Sequence, residues 1–382
     1  MELKKIHISD IGKVVTGKTP RTSIVENYGG DIPFLTPSDD LSYKSVPKTG
    51  KTLTEQGLNE VKNCLLPPHS VCVSCIGTDL GKVVMTSEPT ITNQQFNSII
   101  PNRRFDADFV YYLMTLVGKE LNYLSKTSTA VPIINKSSFS NYEVEVPDLE
   151  TQEKIASILS SLDSKIELNR RINDNLEQQA QALFKSWFVD FEPFKGEKFV
   201  ESQLGMIPKG WKVGTLSDLL DIRYGKDHKK LNDGNIPVYG SGGIMRLADG
   251  ILYNGESVLI PRKGTLNNVL YVNWPFWTVD TMFYSIEKVP NVAKYCHLLL
   301  SKLDLASMNS GSAVPSMTTD ILNKIQVIVA NQDVFSSFNE CISSLYLKAK
   351  INLDENKRLS ETRDLLLPKL MSGRLIIKDL HS

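Results

Sequence analysis

The stretch Ile155–Trp187, IASILSSLDSKIELNRRINDNLEQQAQALFKSW, carries the pattern that decides the fold. Its apolar residues alternate in steps of four and three, at Ile155, Leu159, Leu162, Ile166, Leu176, Ala180, Leu183 and Trp187. A period of about 3.5 residues held for about five heptads predicts a coiled-coil seam along a long helix. Asn169 and Asn173 occupy the two middle positions of this seam. We therefore expect a helix that packs against a partner helix and carries a polar interruption halfway along.

The same pattern returns 183 residues later, near the end of the chain. The equivalent residues are Phe338, Ile342, Leu345, Ala349, Asn352, Asn356, Leu359, Arg363, Leu366 and Leu370. Two helices with one register and the same polar interruption are predicted to pack on each other. In an antiparallel pair, Asn169 would lie near Asn356 and Asn173 near Asn352. Such a buried polar layer would fix the register of the helices at a cost in stability.

The sequences that precede the two helices are also duplicated. Three pairs of similar stretches carry the repeat: SDIGKVVTGK (9–18) with SDLLDIRYGK (217–226), SVCVSCIGT (70–78) with SVLIPRKGT (257–265), and the AVP elements at 130–132 and 313–315. Each copy has short β-branched runs broken by Gly, Pro and Asn, and one predicted helix, Ala107–Leu124 or Val292–Asn309. This composition predicts an α+β fold for each copy.

The predicted architecture is therefore a pseudo-two-fold duplication. Two similar α+β domains are separated by two long helices that form an antiparallel coiled coil. The predicted segments are 1–147 (first domain), 148–187 (central helix), 188–210 (a linker rich in Pro, Gly and charge), 211–329 (second domain), 330–372 (C-terminal helix) and 373–382 (tail).

Composition narrows the class of protein. The 382 residues are 41% hydrophobic and 23% charged, as expected for a globular protein. No run approaches the ~20 apolar residues that span a bilayer, and MELKKIHISD lacks a signal-peptide core. Five cysteines without a disulfide pattern predict a cytoplasmic protein. Because 43 basic residues balance 43 acidic ones, a polybasic coat that binds nucleic acid without regard to sequence is not expected.

Two motifs resemble sites of chemistry. Gly12–Thr19 matches the phosphate-loop pattern GxxxxGK[ST], but Pro20 follows and no helical periodicity comes after it, so we expect a β-turn instead. Cys72 and Cys75 form a CxxC within an alternating β run, and no second ligand pair accompanies them. We therefore expect buried strand cysteines and no metal. No catalytic triad or amino-methyltransferase motif is present, so the chain is predicted not to be an enzyme.

Several stretches resemble the specificity subunits of type I restriction-modification enzymes, and the resemblance spans essentially the whole chain. They are SWFVDFEPF at the end of the central helix, LGMIPKGW opening the second half, RDLLLPKLMSGRL (363–375), and the AVP elements with the INKSSF and SMTTDIL that follow them. The resemblance implies two target recognition domains that read the halves of a bipartite, asymmetric site in double-stranded DNA. The two helices would set the gap between the halves.

The resemblance also implies partners. The chain would be the non-catalytic subunit of a DNA-cleaving, adenine-methylating complex. It would bind two methyltransferase subunits, which carry S-adenosylmethionine, and motor-nuclease subunits that use ATP and Mg²⁺. No cofactor is expected in this chain, since each would belong to a partner.

Base-reading residues are expected among polar and basic loop residues, because Arg and Lys suit guanine edges and Asn and Gln suit adenine. Asn93, Gln94 and Gln95 are instead predicted to be structural, since an apolar run follows them. The candidates are Lys18, Arg21, Lys44, Lys48, Thr78 and Lys82 in the first domain, and Lys226, Lys229, Lys230, Arg246, Arg262, Lys263 and Asn267 in the second.

Three other readings stay open on the sequence. The chain could serve a methyltransferase that has no nuclease, which the presence or absence of a neighbouring nuclease gene would decide. It could be a coiled-coil scaffold that binds protein or sugar, which predicts no DNA affinity even with a methyltransferase present. An ATPase built on Gly12–Thr19 predicts turnover by the isolated chain.

Overall fold

The computed structural model of the chain describes residues 2–77, 79–126, 133–308 and 316–375. It divides into two compact units. The first unit is Met1–Asn169 with Asp354–Ser382, and the second unit is Arg170–Leu353. Two helices, α5 (Leu149–Phe188) and α9 (Gln332–Met371), are each 40 residues long and contribute to both units. Each unit therefore combines one α+β domain with one part of each long helix.

The α+β domain of the first unit contains three small sheets. Its elements before α5 are β1 (Lys4–His7), α1 (Ile8–Ile11), β2 (Gly12–Thr16), β3 (Tyr28–Leu35), β4 (Thr52–Leu53), α2 (Glu55–Val61), β5 (Val71–Ser74), β6 (Val83–Met85), β7 (Ile91–Thr92), β8 (Phe96–Pro101), α3 (Ala107–Lys126), α4 (Lys136–Ser140) and β9 (Glu143–Val146). The strand orders are β2-β8-β5-β6, β4-β3-β7 and β1-β9. The pair β3–β7 is parallel, and the other pairs are antiparallel.

The second unit repeats this topology. Between α5 and α9 lie β10 (Phe199–Ser202), β11 (Gly205–Pro208), β12 (Lys212–Thr215), α6 (Leu216–Leu219), β13 (Leu220–Tyr224), β14 (Ile236–Gly240), β15 (Gly243–Ala248), β16 (Ser257–Pro261), β17 (Leu270–Val272), β18 (Trp277–Thr278), β19 (Met282–Glu287), α7 (Ala293–Ser301), α8 (Thr319–Asn323) and β20 (Gln326–Val329). The orders β13-β19-β16-β17, β15-β14-β18 and β12-β20 match those of the first unit strand by strand. The predicted duplicated α+β fold is confirmed.

The repeat extends to the residues that start the short helices. At α1, the backbone N–H of His7 donates to Asp10 Oδ2 over 2.9 Å. At α6, the N–H of Thr215 donates to Asp218 Oδ2 over 2.7 Å. These bonds satisfy backbone groups that a helix terminus leaves without an internal partner. The aspartate of the repeated SD dipeptide thus accepts the same capping bond in both units.

The equivalent strands β5 and β16, which lie inside the two four-stranded sheets, are buried on both faces. Val71 and Val73 of β5 belong to the core beneath α3, whereas Cys72 faces a second apolar cluster with Phe34 and Leu53. In β16, Val258 and Ile260 likewise face the main core of the second unit, and Leu259 faces the other side. Alternation along a strand places successive side chains on opposite faces. The two SV-x-V/I runs therefore form equivalent, fully buried strands.

The long helices are anchored in these cores. In the first unit, Ile155 and Leu159 of α5 and Leu370 of α9 are buried in the cluster that contains Phe109 of α3. In the second unit, the end of α5 contributes an aromatic group. Phe188 lies 4.6 Å from Tyr295 and 4.9 Å from Phe338, measured between ring centroids. The predicted seam residues thus bury their side chains partly against the domains and partly between the helices.

Two segments differ from the sequence prediction. The helix predicted to reach Asn309 ends at Ser301, because the chain turns after Lys302 and returns Leu305 to the core, where it is fully buried. The segment predicted to be a linker carries the β10–β11 hairpin. Its Phe194 packs on Trp211 with 4.9 Å between ring centroids. Phe191, Phe194 and Ile207 join this segment to the second unit's core, although most of its other residues are exposed.

Candidate nucleic-acid interface

Several loops of the second unit converge where its strands end. We call residues 225–235, 241–242, 262–269 and 279–281 the second loop edge. Backbone bonds join them: Lys226 N–H donates to Thr278 O over 2.8 Å, and Arg262 N–H donates to Thr281 O over 2.9 Å. The side chain of Asn268 donates to Ser241 O over 2.8 Å. Loops far apart in sequence are thereby fixed as one surface.

This edge is basic. Lys226, Lys229, Lys230 and Lys263 are exposed there, and Arg262 is half-buried. Asp227 and Asp280 lie on the same loops, so the charge is mixed and not uniformly positive. These five basic residues and Asn267, which lies on the same loops, are six of the seven candidates predicted for the second domain.

Arg262 is held more firmly than the lysines. Its guanidinium carbon lies 5.4 Å from the ring centroid of Tyr224, and its Nη1 donates to Asp280 O over 3.1 Å. The backbone on both sides is also fixed, since Met317 N–H donates to Arg262 O over 2.8 Å. A guanidinium stacked on an aromatic ring is stabilised by cation–π attraction. The side chain is thus oriented before any ligand arrives.

Two candidates of the second domain, Arg246 and Asn267, use their side chains to hold loops in place. Arg246 Nη2 donates to the backbone oxygens of Leu231 over 2.7 Å and His228 over 3.0 Å. Asn267 donates to Asp304 Oδ1 over 3.1 Å and accepts from Ala306 N–H over 3.0 Å. Both side chains use polar groups to fix the local backbone.

The first unit gathers loops at the equivalent place. We call residues 17–24, 75–82 and 93–95 the first loop edge, of which Thr78 lies outside the described residues. Lys18 N–H donates to Thr92 O over 2.9 Å, and Cys75 N–H donates to Gln95 O over 2.7 Å. Lys18 and Lys82 are exposed on this edge.

Of the three further candidates of the first domain, Arg21 also lies on the first loop edge, whereas Lys44 and Lys48 lie elsewhere. Arg21 is exposed but paired, since its Nη2 lies 2.8 Å from Glu60 Oε1. Hydrogen bonds from Arg21 lower the pKa of Glu60 to about 2. Lys44 lies beside the end of β6 opposite the loop edge, with its Nζ 2.7 Å from Asp108 Oδ1. Lys48 is exposed on the long loop between β3 and β4.

Gln94 is an exposed surface residue, whereas the sequence pattern predicts it to be structural. Asn93 and Gln95 bond to each other over 2.8 Å and are structural, as predicted. Gln94, between them, is exposed and accepts from Thr19 Oγ1 over 2.6 Å. Its place in the loop before β8 matches that of Asp280 before β19, and this equivalence in the repeat is the signal that could have found it.

The phosphate-loop pattern has no phosphate-loop geometry. Gly12–Thr16 is itself the strand β2, and no helix begins at Gly17 or Lys18. The N–H of Gly17 donates to Phe96 O over 3.1 Å, and that of Lys18 is also engaged. A phosphate site needs such amides free and pointing from a helix N-terminus. The pattern match is therefore fortuitous.

Cys72 and Cys75 are buried, as predicted. Burial raises the pKa of Cys72 to about 12 and also raises the pKa of Cys75, so both remain thiols. Among the described residues, His, Cys, Asp and Glu form no group of three or more that could hold a metal ion. No helix in the described ranges is long and apolar enough to cross a membrane.

The seam asparagines form two equivalent hydrogen-bonded pairs. In the first unit, Asn169 Nδ2 donates to Asn356 Oδ1 over 2.9 Å. In the second unit, Asn352 Nδ2 donates to Asn173 Oδ1 over 2.8 Å. Asn169 and Asn352, the equivalent members of the repeat, are 1% and 0% exposed. The pairing follows the antiparallel register expected from the sequence.

Comparisons with known proteins agree with this arrangement. The family model for the type I restriction modification DNA specificity domain matches residues 1–178 and 208–333. The chain is 31% identical to a type I restriction enzyme specificity subunit of Methanocaldococcus jannaschii, over 99% of this chain and 94% of that protein. It is 26% identical to the HindI specificity subunit of Haemophilus influenzae, over 78% and 83%.

A solved structure shares the fold. The crystal structure of a type I restriction-modification S subunit from M. genitalium superposes with a TM-score of 0.52 at 18% identity. The match covers 97% of this chain and 96% of that one.

Proposed function

The chain belongs to the family of type I restriction-modification DNA specificity subunits, and from this premise we propose how it reads its target. Each unit binds one half of a bipartite, asymmetric site in double-stranded DNA through its loop edge. One observation carries the proposal. The two loop edges occupy the same place in a repeated topology, yet they present different side chains.

The side chains that the two loop edges share and those in which they differ have separate roles. Lys18 and Lys226 each follow a glycine at the end of an equivalent strand, so both edges offer a lysine at that point. Contacts of lysine with phosphate position a protein on DNA without reading sequence. In contrast, Cys75 is buried and the equivalent Arg262 reaches the surface. The two halves of the target would therefore differ in sequence.

The long helices would set the gap between the half-sites and dock two methyltransferase subunits. Leu168 and Ile351 support the docking, because they occupy equivalent positions of the repeat and are 52% and 47% exposed. Equivalent apolar side chains on the two copies suit two identical partners. S-adenosylmethionine would be held by those subunits, and ATP and Mg²⁺ by motor-nuclease subunits. The chain itself would act without catalysis, in the cytoplasm.

Exchange of one domain tests the reading of half-sites. Residues 211–329 would be replaced by the matching domain of a related specificity subunit, and the chimera assembled with its methyltransferase. Methylation of a target library should show a new second half-site and an unchanged first one. Changes in both half-sites, or in neither, would contradict independent reading.

A heptad inserted into both helices tests whether the length of the helices sets the gap between the half-sites. Seven residues lengthen a helix by ~10 Å and preserve the seam face. At ~3.4 Å per base pair, the preferred gap should grow by about three base pairs. The DNA turns by roughly 100° over that distance, so affinity should also fall. The same insertion in one helix only should misalign the asparagine pairs and damage the fold. An unchanged preferred gap in a folded, methyltransferase-bound variant would show that the helices do not set the gap.

A further inference from the structure

We propose that Arg262 reads one guanine of the half-site bound by the second unit, and that Tyr224 and Asp280 hold its guanidinium for this purpose. The inference rests on the proposed function, since it assumes that the second loop edge faces DNA. It goes further by selecting one residue among the basic side chains of that edge and by naming the base that this residue recognises.

The first argument is pre-organisation. Tyr224, Asp280 O, Thr281 O and Met317 N–H fix the ring face, the Nη1 atom and the backbone of Arg262. Tyr224 is itself braced, because its ring lies 5.0 Å from that of Phe283, which is fully buried. A side chain that is already ordered loses less conformational entropy on binding. Arg262 is therefore suited to a contact that demands a defined orientation.

The second argument is the chemistry of the guanidinium. It carries five N–H donors in a planar fork, and Asp280 O accepts one of them. Two parallel donors match O6 and N7 of guanine in the major groove, which is the commonest specific contact to a base. Lys226 and Lys263 are exposed on the same edge, and their flexible ammonium groups suit phosphates. This division leaves base reading to the arginine.

The third argument is a contrast with Arg223, which lies one residue before Tyr224. Arg223 Nε donates to Asp221 Oδ2 over 2.8 Å, so a carboxylate already compensates its charge. The partners found for Arg262 among the described residues are an aromatic ring and a carbonyl oxygen, which are neutral. Arg223 thus provides a matched control at the end of β13, the strand that carries Tyr224.

The test uses the full chain assembled with its methyltransferase partner. Transfer of radiolabelled methyl groups from S-adenosylmethionine is measured on the wild-type target and on every single-base-pair variant of both half-sites. R262K keeps the charge but loses the fork. It should reduce the preference for guanine at one position of the second half-site by about tenfold or more and leave the first half-site unchanged. R223K should change neither half-site.

A second pair of variants leaves the arginine in place. Y224F keeps the ring beneath the guanidinium and should retain the preference, whereas Y224L should lose part of it at the same base pair. This pair decides the question if R262K lowers the melting temperature. Equal preference in Y224F and Y224L, or a drop in R262K that is uniform across all sequences, would overturn the inference.

Failure of the inference can be told from failure of the proposed function. If the domain exchange alters the second half-site while R262K and R262Q leave every preference intact, the inference alone is wrong. If the wild-type complex shows no preference in the second half-site, or the exchange alters neither half-site, the proposed function is wrong and the inference falls with it.

Discussion

In the first unit a carboxylate joins three helices, whereas in the second unit the equivalent position holds a phenol. Asp163 of α5 accepts from Tyr112 of α3 over 2.5 Å and from Arg363 of α9 over 2.6 Å. The repeat places Tyr346 of α9 where Asp163 stands. The hydroxyl of Tyr346 lies 2.7 Å from Nδ1 of His297 on α7. The same helix packing is thus held by a charged network in one unit and by a neutral pair in the other.

The other charged contacts near these helices also differ between the two units. The counterpart of Arg363 in the repeat is Ala180, which is buried among the aromatic side chains of the second unit. A charge does appear nearby, but its partners are different. Lys294 is 4% exposed and lies 2.9 Å from Glu256 Oε1 and 2.8 Å from Asn339 Oδ1. The duplication therefore preserved the backbone and the helix register, while the polar contacts were free to diverge.

Among the variants proposed here, removal of the Asp163 carboxylate should lower the free energy of unfolding most. D163A leaves the buried hydroxyl of Tyr112 without its acceptor and removes the buried carboxylate from Arg363, which then keeps only the exposed Asp364. Breaking a buried ion pair on one side costs about 3–5 kcal/mol. We expect a loss of that size in the free energy of unfolding, measured by urea denaturation. D364N is the matched control, because Asp364 contacts the same Arg363 from an exposed position, and it should cost less than about 1 kcal/mol.

The double variant D163L/R363L sharpens this test. It replaces both charges by apolar side chains, which is often neutral for stability. It should recover the part of the D163A loss that comes from the uncompensated charge of Arg363, whereas the hydroxyl of Tyr112 still lacks its acceptor. A D163A variant within about 1 kcal/mol of wild type would mean that the network does not hold the three helices.

The second unit should instead respond to pH. Burial lowers the pKa of His297 to about 4, against an opposing hydrogen bond with the Val269 backbone. The folded state therefore binds this proton less readily than the unfolded state, whose histidine titrates near 6.5. The contribution of neutral His297 to the free energy of unfolding is fully present above about pH 6.5, and it is lost as the pH falls towards 4. A difference of this size corresponds to about 3 kcal/mol.

The histidine contribution is isolated by comparing two variants across that range. H297F lacks the titrating group, so the loss of stability between pH 7 and pH 4 should shrink by about 3 kcal/mol relative to wild type. Y346F keeps the histidine and should retain the slope. Equal slopes in wild type and H297F would show that His297 does not carry the pH dependence.

The asparagine pairs are the part that both units share, and they should cost stability. Asn169 Oδ1 and Asn352 Oδ1 are buried and have no hydrogen-bond partner within the described ranges. A buried acceptor without a partner costs about 1–3 kcal/mol. Replacing Asn169, Asn173, Asn352 and Asn356 by Leu should therefore raise the free energy of unfolding by about 2 kcal/mol. The exposed Asn175 provides the control, since N175L should change little.

The same variant should loosen the register. A single polar seam position can fix alignment at the expense of stability. Hydrogen exchange along α5 and α9 should become faster near the former asparagines even though the protein melts at a higher temperature. Lower stability in the quadruple variant would show that the pairs stabilise the fold instead of specifying it.

The sequence predicts these pairs because they lie on the seam at a constant offset. A single periodicity gives the register, and antiparallel packing then gives the partners. The Asp163 network escapes such reasoning, because Asp163 lies beside the seam and its partner Tyr112 belongs to another element. Arg363 is visible only as a charged exception in an apolar series. Lys44 shows the converse limit, since nothing in the sequence around this basic loop residue indicates its carboxylate partner, Asp108.

The smallest expected difference in stability is between variants that each remove one hydroxyl bridging two helices. Y112F removes a donor to the carboxylate of Asp163, and Y346F removes the hydroxyl that meets the imidazole of His297. A hydrogen bond to a charged group contributes about 1.5–3 kcal/mol, and a neutral one about 1 kcal/mol. At pH 7.5 we therefore expect Y112F to cost more than Y346F by about 1 kcal/mol in urea denaturation. Both variants delete one oxygen and keep the ring, so the changes in packing nearly cancel. If Y346F costs as much as Y112F, the neutral pair holds its helices as strongly as the charged network, and the distinction between the two units would rest on pH dependence alone.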